Sequence, residues 1–237
     1  MIKNKLFGTN PIMAHAPGKL EFIPLWDCLC YMSKRPQFKT NLPDNITLIT
    51  FNNGREFGHN GKKLGLLEES LDLFGIKYTV LGYGIKEWKN SMKIELIDEF
   101  LKKVETQYVL SCDSSDVFLI NKFDNICKIF ENIGCEALFN AEKNSWPIDL
   151  PQEIIKFDNS LNENYFLNAG LWMSTTQFAR EITKWCLLNK STSSCEQINY
   201  RYCYSKLYPK MQVDYKCKLF QGCNRVNFDE IEFMKLF

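Results

Sequence analysis

Residues 108–120 read YVLSCDSSDVFLI. The apolar run at 108–111 leads into Asp113-Ser114-Ser115-Asp116, and a second apolar run fills 117–120. A short apolar run before a polar turn reads as a buried strand. Carboxylates leaving the end of such a strand stand where open α/β sheets bind ligands. Two carboxylates this close repel, which raises a pKa unless a cation compensates. A divalent ion supplies that compensation, and Mg²⁺ or Mn²⁺ suits oxygen ligands. Such an ion bridges a diphosphate and neutralises its charge as it leaves. The competing reading is structural, with one Asp capping the next segment and the other solvated. The DxxD spacing alone does not separate the two.

Outward from this stretch the chain alternates strand-like and helix-like segments. Residues 46–51 (ITLITF) are β-branched and apolar, and Asn52-Asn53-Gly54 turns the chain. Residues 61–75 carry Leu64, Leu67, Leu71 and Phe74 at helical spacing, with Gly75 as a stop. Strands are expected at 77–81, 136–141 and 211–214, and helices at 91–104, 123–133, 176–188 and 195–206. Residues 165–173 form an apolar run interrupted by Asn168-Ala169-Gly170. The alternation predicts an α/β layer fold with a mostly parallel sheet flanked by helices. No linker, repeat or low-complexity tract divides the chain, so one domain spanning 1–237 is expected. The polar loop at 34–45 is expected to separate an N-terminal appendage from the sheet.

Composition bounds the function. The 237 residues are 45% hydrophobic and 24% charged, with a net charge of +1, so no global field favours nucleic acid or anionic lipid. The longest uncharged run lies between Glu163 and Arg180 and is too polar to span a membrane. The first twenty residues lack a continuous apolar stretch and read as mature protein. The ten cysteines include no CxxC pair and have only His15 and His59 as imidazole partners, which disfavours a structural zinc site. Without a secretion signal they read as mostly reduced, which implies a cytoplasmic location. Neither GxxxxGK[ST], GxGxxG nor GxSxG occurs, so kinase, ATPase and serine-hydrolase readings lack support.

Several residues invite two readings. His15, in PIMAHAPGK, is either a surface-loop histidine or a ligand completing a site begun by two Asp. His59 sits in a polar turn and reads as solvated. Trp146, after Glu142, either walls a sugar or base site or packs at the rim. Asn168 needs a buried partner, and Gly170 permits close backbone approach. Glu196-Gln197 opens a helix, either behind a Ser193 or Ser194 cap or aimed at sugar hydroxyls.

The blocks ITLITFNNG, YTVLGYGIKEW, YVLSCDSSDVFLI, ALFNAEKNSWP, YFLNAGLWM, CEQINYRYCY and VDYKCKLFQGCN, in this order over 46–228, resemble the glycosyltransferase domain of procollagen lysyl hydroxylases and related collagen-type glycosyltransferases. The resemblance implies a GT-A-type, Rossmann-like fold, a Mn²⁺-dependent transfer (Mg²⁺ as the substitute) and a UDP-sugar donor. It places Asp113 and Asp116 on the metal, Thr50 and Trp88 beside the nucleotide, and Lys93 near the phosphates. Asp214 and Gln221 border the donor, and Asn168, Gly170 and Glu196 match blocks that orient donor sugar or acceptor. Cys195 stands where the family has an acidic residue. In the family a histidine strand reading like PIVVHGNGP follows the last block. Here Pro11–Lys19, PIMAHAPGK, resembles that strand, so the chain is expected to be circularly permuted. Residues 1–33 would then carry the family's C-terminal metal strand and helix, with His15 as the third ligand.

The expected activity is transfer of glucose or galactose from a UDP-sugar to an acceptor hydroxyl on a protein or glycan, with retention. The resemblance implies that Glu196 and Asn168 act at the reaction centre, and that Thr50, Trp88, Lys93, Asp113, Gly170 and Gln221 bind the donor. The alternatives are a non-catalytic nucleotide-sugar or glycan-binding module, which Cys195 favours, and a metal phosphoesterase.

Overall fold

The computed structural model describes residues 2–18, 25–34, 38–56, 61–147, 150–162, 165–191 and 193–234. Its elements in chain order are β1 (Ile2–Asn4), β2 (Met13–His15), α1 (Trp26–Ser33), β3 (Ile46–Phe51), α2 (Leu66–Phe74), β4 (Thr79–Leu81), α3 (Met92–Leu101), β5 (Tyr108–Asp113) and β6 (Val117–Leu119). They continue with α4 (Ile126–Ile133), β7 (Ala137–Glu142), α5 (Gln152–Asn162), β8 (Phe166–Thr175), α6 (Thr176–Leu188), α7 (Glu196–Leu207), β9 (Met211–Val213), β10 (Phe220–Gly222) and β11 (Ile231–Phe233).

Strands β3, β4, β5, β7, β8 and β9 form one six-stranded sheet, in the order β4-β3-β5-β8-β7-β9, while the apolar run at 117–120 becomes β6 of a separate three-stranded sheet, β10-β2-β6. Pairings β3·β4, β3·β5 and β7·β9 are parallel, while β8 runs antiparallel to both β5 and β7. Five strands therefore point one way, and the expected mostly parallel sheet is present. Strand alternation sends successive side chains to opposite faces. Ile49 and Phe51 of β3 join Val109 of β5 under α3, α6 and α7, beside Ile97, Phe178 and Tyr204. Ile46 and Leu48 join Tyr108 and Leu110 on the other face, against Leu67 and Leu71 of α2 and Phe130 of α4.

The N-terminal segment corrects the expectation of an appendage. Residues before the 34–45 loop are built into the fold. Strand β1 pairs antiparallel with β11, with Ile2 opposite Phe233. Strand β2 lies between β10, to which it runs parallel, and β6. Helix α1 buries Leu29 beside Leu66 of α2.

Some boundaries differ from the periodicity. The helix expected from 61 starts at Leu66, because Gly65 abuts Ser114 and its N–H donates to Glu68 Oε2 (2.8 Å), capping the helix there. Gly75 ends it in the left-handed region at φ 66°. The interrupted run at 165–173 is one ten-residue strand, β8, whose register against β7 jumps between Phe139↔Trp172 and Asn140↔Asn168. That jump leaves 169–171 unpaired with β7 and directs Gly170 toward the strand ends. Helix α5 and strands β1, β10 and β11 are short or weakly patterned and escaped the sequence reading. No helix among the described residues is long and apolar enough to cross a membrane. Six of the ten cysteines are buried and pack as small hydrophobes.

Candidate active site

Strand β5 delivers Asp113 at its carboxyl end, and a turn of two residues presents Asp116 before the chain returns in β6. Strand β2 hydrogen-bonds to β6 with His15 opposite Val117, so the imidazole arrives beside Asp116 from a different part of the chain. Ligand atoms of His15, Asp113 and Asp116 all lie within 4.8 Å of one another. His15 Nε2 is 3.6 Å from Asp116 Oδ1, and both atoms are buried with no hydrogen-bond partner among the described residues. Burial of polar atoms without partners is costly, so these two atoms ask for a ligand. Gly170 makes room for the cluster, since a Cβ there would stand 2.3 Å from His15 Cε1 and 2.7 Å from Asp113 Oδ2. An imidazole and two carboxylates form a nitrogen–oxygen donor set of the kind that holds divalent cations. The residues present fit a divalent cation.

Electrostatics reinforce the cluster. Burial alone would discharge the His15 imidazolium, but Asp116, with Asp113 and Glu142 behind it, outweighs burial and raises its pKa. Burial disfavours charge on Asp116, and His15 and Lys93 overcome it, lowering its pKa below the ordinary carboxylate value. Lys93 of α3 is not a free cation awaiting phosphate. Its ammonium donates to Asp113 Oδ1 (2.6 Å) and Glu196 Oε1 (2.8 Å), with Phe51 beneath it at 5.2 Å. Burial works against its charge, yet Asp113 and Glu196 outweigh burial and keep it protonated. Burial pushes the Glu196 carboxyl up, Lys93 offsets part of this, and Asp113 adds to the rise. Among the described residues Glu196 Oε2 has no hydrogen-bond partner.

The cluster stands where two lobes of one cleft meet. The smaller, about 190 Å³, runs from Phe51-Asn52-Asn53 to Trp88 and Lys93. The larger, about 480 Å³, is walled by Glu142, Trp146, Asn168, Gly170 and Glu196. Asn90, Asp113 and Asp116 border both. Gln197 braces the larger lobe. Its amide nitrogen donates to Glu142 Oε1 (2.8 Å) and the Trp146 carbonyl (2.7 Å), and its oxygen accepts from Ala169 N–H (3.0 Å). Burial raises the Glu142 pKa, with Gln197 and Asn168 partly offsetting it.

Ten residues were expected at the site, and the structure brings eight of them to this cleft. His15, Asp113, Asp116, Lys93, Asn168, Gly170 and Glu196 gather around the junction, Trp88 lines the smaller lobe, and the two left outside are Thr50 and Gln221. Those last two stand behind the walls. Thr50 is fully buried with an unpartnered hydroxyl, and Gln221 accepts from Asn4 Nδ2 (2.8 Å) while donating to the Gly222 carbonyl. Asp214 organises the turn into β10 by accepting from the N–H groups of Lys218, Leu219 and Phe220. Helix α7 starts after Cys195 with no side-chain cap, and Ser193 instead accepts from Cys195 N–H. His59 lies outside the described residues. Asn140 and the Asn52-Asn53 pair were missed, and Gln197, read as an amide aimed at sugar hydroxyls, instead braces Glu142, the Trp146 carbonyl and Ala169 N–H. A polar residue inside the apolar run EALFNA was the available signal for Asn140.

A Rossmann-like α/β layer with an imidazole–carboxylate cluster at the carboxyl ends of its strands has the organisation of a GT-A-like glycosyltransferase domain. Residues 59–235 match the family described as PLOD GT domain, and the chain belongs to that family, the glycosyltransferase domain of procollagen lysyl hydroxylases. No curated protein matches the chain. Among solved structures, the 4-diphosphocytidyl-2C-methyl-D-erythritol synthase of Anaerococcus prevotii is similar at 11% identity, covering 71% of this chain and 85% of that one with a TM-score of 0.37.

Proposed function

We propose that this glycosyltransferase domain moves glucose or galactose from a UDP-sugar to an acceptor hydroxyl on a protein or glycan, in a metal-dependent reaction with retention. The observation that carries the reading is the meeting of His15, Asp113 and Asp116, with two buried unpartnered atoms, where the two lobes join. The three residues would hold Mn²⁺, or Mg²⁺ in its place, and the ion would neutralise charge on the departing diphosphate. The smaller lobe, with Trp88 and Asn52-Asn53, suits the nucleoside, and the larger suits sugar and acceptor.

The chain's own groups divide the remaining work. Lys93 holds Asp113 and Glu196 in fixed positions by bonding to both. Glu196 keeps Oε2 open as an acceptor for a sugar or acceptor hydroxyl. Asn168 accepts from Gly170 N–H (2.8 Å), which sets the backbone beside the cation ligands. The diphosphate itself takes the acceptor proton as the new glycosidic bond forms on the same face. The circular permutation belongs to the same proposal, supported by β2 lying parallel to β10 with His15 opposite Gly222. Residues 1–33 then replace the family's C-terminal strand and helix.

Incubation with UDP-glucose or UDP-galactose and Mn²⁺ should release UDP, and a chelator should stop it. A melting temperature unmoved by UDP with Mn²⁺ would overturn the reading, since a bound ligand stabilises by mass action. Cys195 at the mouth of the larger lobe favours a second reading, a nucleotide-sugar-binding module without turnover. Stabilisation by UDP-sugar and Mn²⁺ with no UDP released from any donor would select it.

A further inference from the structure

We propose that Asn140 is the positioning residue of the metal histidine. Its side-chain amide grips the His15 ring at Nδ1 and, by turning end for end, lets Nε2 present a lone pair to the cation. The inference rests on the reading that a divalent ion sits between His15, Asp113 and Asp116.

Asn140 is the fourth residue of β7, and it is fully buried among apolar neighbours at the point where the β7–β8 register jumps. An amide in such a place needs partners at both ends. Among the described residues its one side-chain hydrogen bond is to His15, with Nδ2 3.3 Å from Nδ1, and its Oδ1 is buried with none. Among the described residues His15 has no other side-chain partner at Nδ1, and its backbone carbonyl is already engaged by Cys223 N–H (2.8 Å). The ring's orientation toward the two aspartates is therefore held from behind by this amide.

A neutral imidazole has one donor nitrogen and one acceptor. With Nδ2 of the amide facing the ring, Nδ1 accepts, and the ring proton sits on Nε2, toward Asp116 Oδ1 at 3.6 Å. A protonated Nε2 cannot ligate a metal. Rotating the amide by half a turn about Cβ–Cγ sets Oδ1 against Nδ1. The ring then carries its proton on Nδ1 and donates it to Oδ1, and Nε2 is bare. The ring gives up one proton at Nε2 and takes one at Nδ1, so its charge is unchanged. The turn also gives the unpartnered Oδ1 a donor. An uncharged amide can serve both tautomers in the same place. A carboxylate serves only the metal-binding one, and an alkyl group serves neither. Partners behind a ligating histidine commonly matter 10–100-fold for metal affinity.

The chain has two histidines, so a His59→Gln background leaves a single imidazole to observe. Long-range ¹H–¹⁵N spectra of ¹⁵N-histidine-labelled protein report which nitrogen is protonated, with Zn²⁺ as a diamagnetic probe. Mn²⁺ affinity is read by electron paramagnetic resonance. The expected result is a proton on Nδ1 in the Zn²⁺-loaded protein. Asn140→Leu should bind Mn²⁺ about 10–100-fold more weakly, and Asn140→Asp should keep the affinity. A Zn²⁺-loaded ring protonated at Nε2, or Asn140→Leu binding Mn²⁺ as the unaltered chain does, overturns the role of Asn140 alone. If Asn140→Leu does not fold, the tautomer of the loaded, otherwise unaltered chain decides. A parent protein that takes up neither ion overturns the metal reading and this inference together.

Discussion

Gly170→Ala tests the cation site without removing any ligand atom. Gly170 lies in β8, in the stretch unpaired with β7, and its backbone passes directly behind His15 and Asp113. The new methyl would stand 2.3 Å from His15 Cε1, 2.7 Å from His15 Nε2 and 2.7 Å from Asp113 Oδ2. Ordinary contact begins near 3.4 Å, so the imidazole has to withdraw by about 1 Å. His15 has little freedom to do so, because β2 is hydrogen-bonded on one side to β10 and on the other to β6. Metal–ligand distances tolerate only about 0.2 Å. The displacement is several times that tolerance, so at least one ligand is lost and Mn²⁺ affinity should fall by at least about 10–100-fold. Overpacking a filled site costs about 1–3 kcal/mol, which corresponds to a melting temperature lower by roughly 2–12 °C for a domain of this size. The two effects separate by assay. Mn²⁺ affinity is titrated by electron paramagnetic resonance on protein shown to be folded by circular dichroism, and stability is measured without the ion. A folded Gly170→Ala protein binding Mn²⁺ within about twofold of the parent would refute the placement of the ion beside Gly170, because a ligand loss cannot cost so little.

Lys93→Met strips the counter-ion from Asp113 and Glu196 inside the fold. Breaking a buried pair costs about 3–5 kcal/mol, to be read from urea unfolding, and a loss under about 1 kcal/mol would mean the ammonium is not the anchor described here. Burial pushes the Cys30 thiol up to about 11 and those of Cys135 and Cys223 up to about 12. Raised thiol pKa values leave little thiolate, on the order of one part in a thousand for Cys30 at pH 8, so these three should resist iodoacetamide in the native protein and react after unfolding, as followed by mass spectrometry. Ile2 and Phe233 are register partners in the β1·β11 ladder. A chain whose ends are joined by a short Gly-Ser linker and reopened within the 34–45 loop should therefore fold and bind Mn²⁺ as the parent does. Loss of folding in that rearranged chain would show that the present order of segments is required.

The sheet was legible because its central strands are apolar on both faces. Residues 46–51, 108–113 and 137–142 are enclosed by helices on either side, so each reads as a continuous apolar run with no need of long-range information. Helices α3 and α6 carry clear one-sided patterns and matched closely. Three-residue strands such as β1, β10 and β11 offer too few positions for any period to register. What makes them strands is a neighbour more than two hundred residues away in the chain, as with Ile2 and Phe233. The direction of β8 is another such case. Nothing local distinguishes a strand that runs against its neighbours from one that runs with them.

The site divides along the same line, between what a residue is and what it meets. Asp113 and Asp116 were readable because both belong to one turn after one strand. Lys93 was readable as a charge but not as a bridge, since its position on α3 says nothing of Glu196, 103 residues further on. The pairing changes its chemistry. A lysine facing solvent would be drawn to phosphate, whereas one that already satisfies two carboxylates is structural until something displaces Asp113 from it. Asp113 is thereby shared between a buried ammonium and the cation cluster. Lys93 keeps the local charge from rising when no ion is present, and the same contact leaves Asp113 Oδ2, not Oδ1, as the oxygen beside Gly170 and His15. An arginine in place of Lys93 would test that division. Its longer, forked head would engage Asp113 through both oxygens, taking Oδ2 away from the ion. Lys93→Arg is therefore expected to hold stability near that of the parent while weakening Mn²⁺ binding, the reverse of a change that merely loosens the fold.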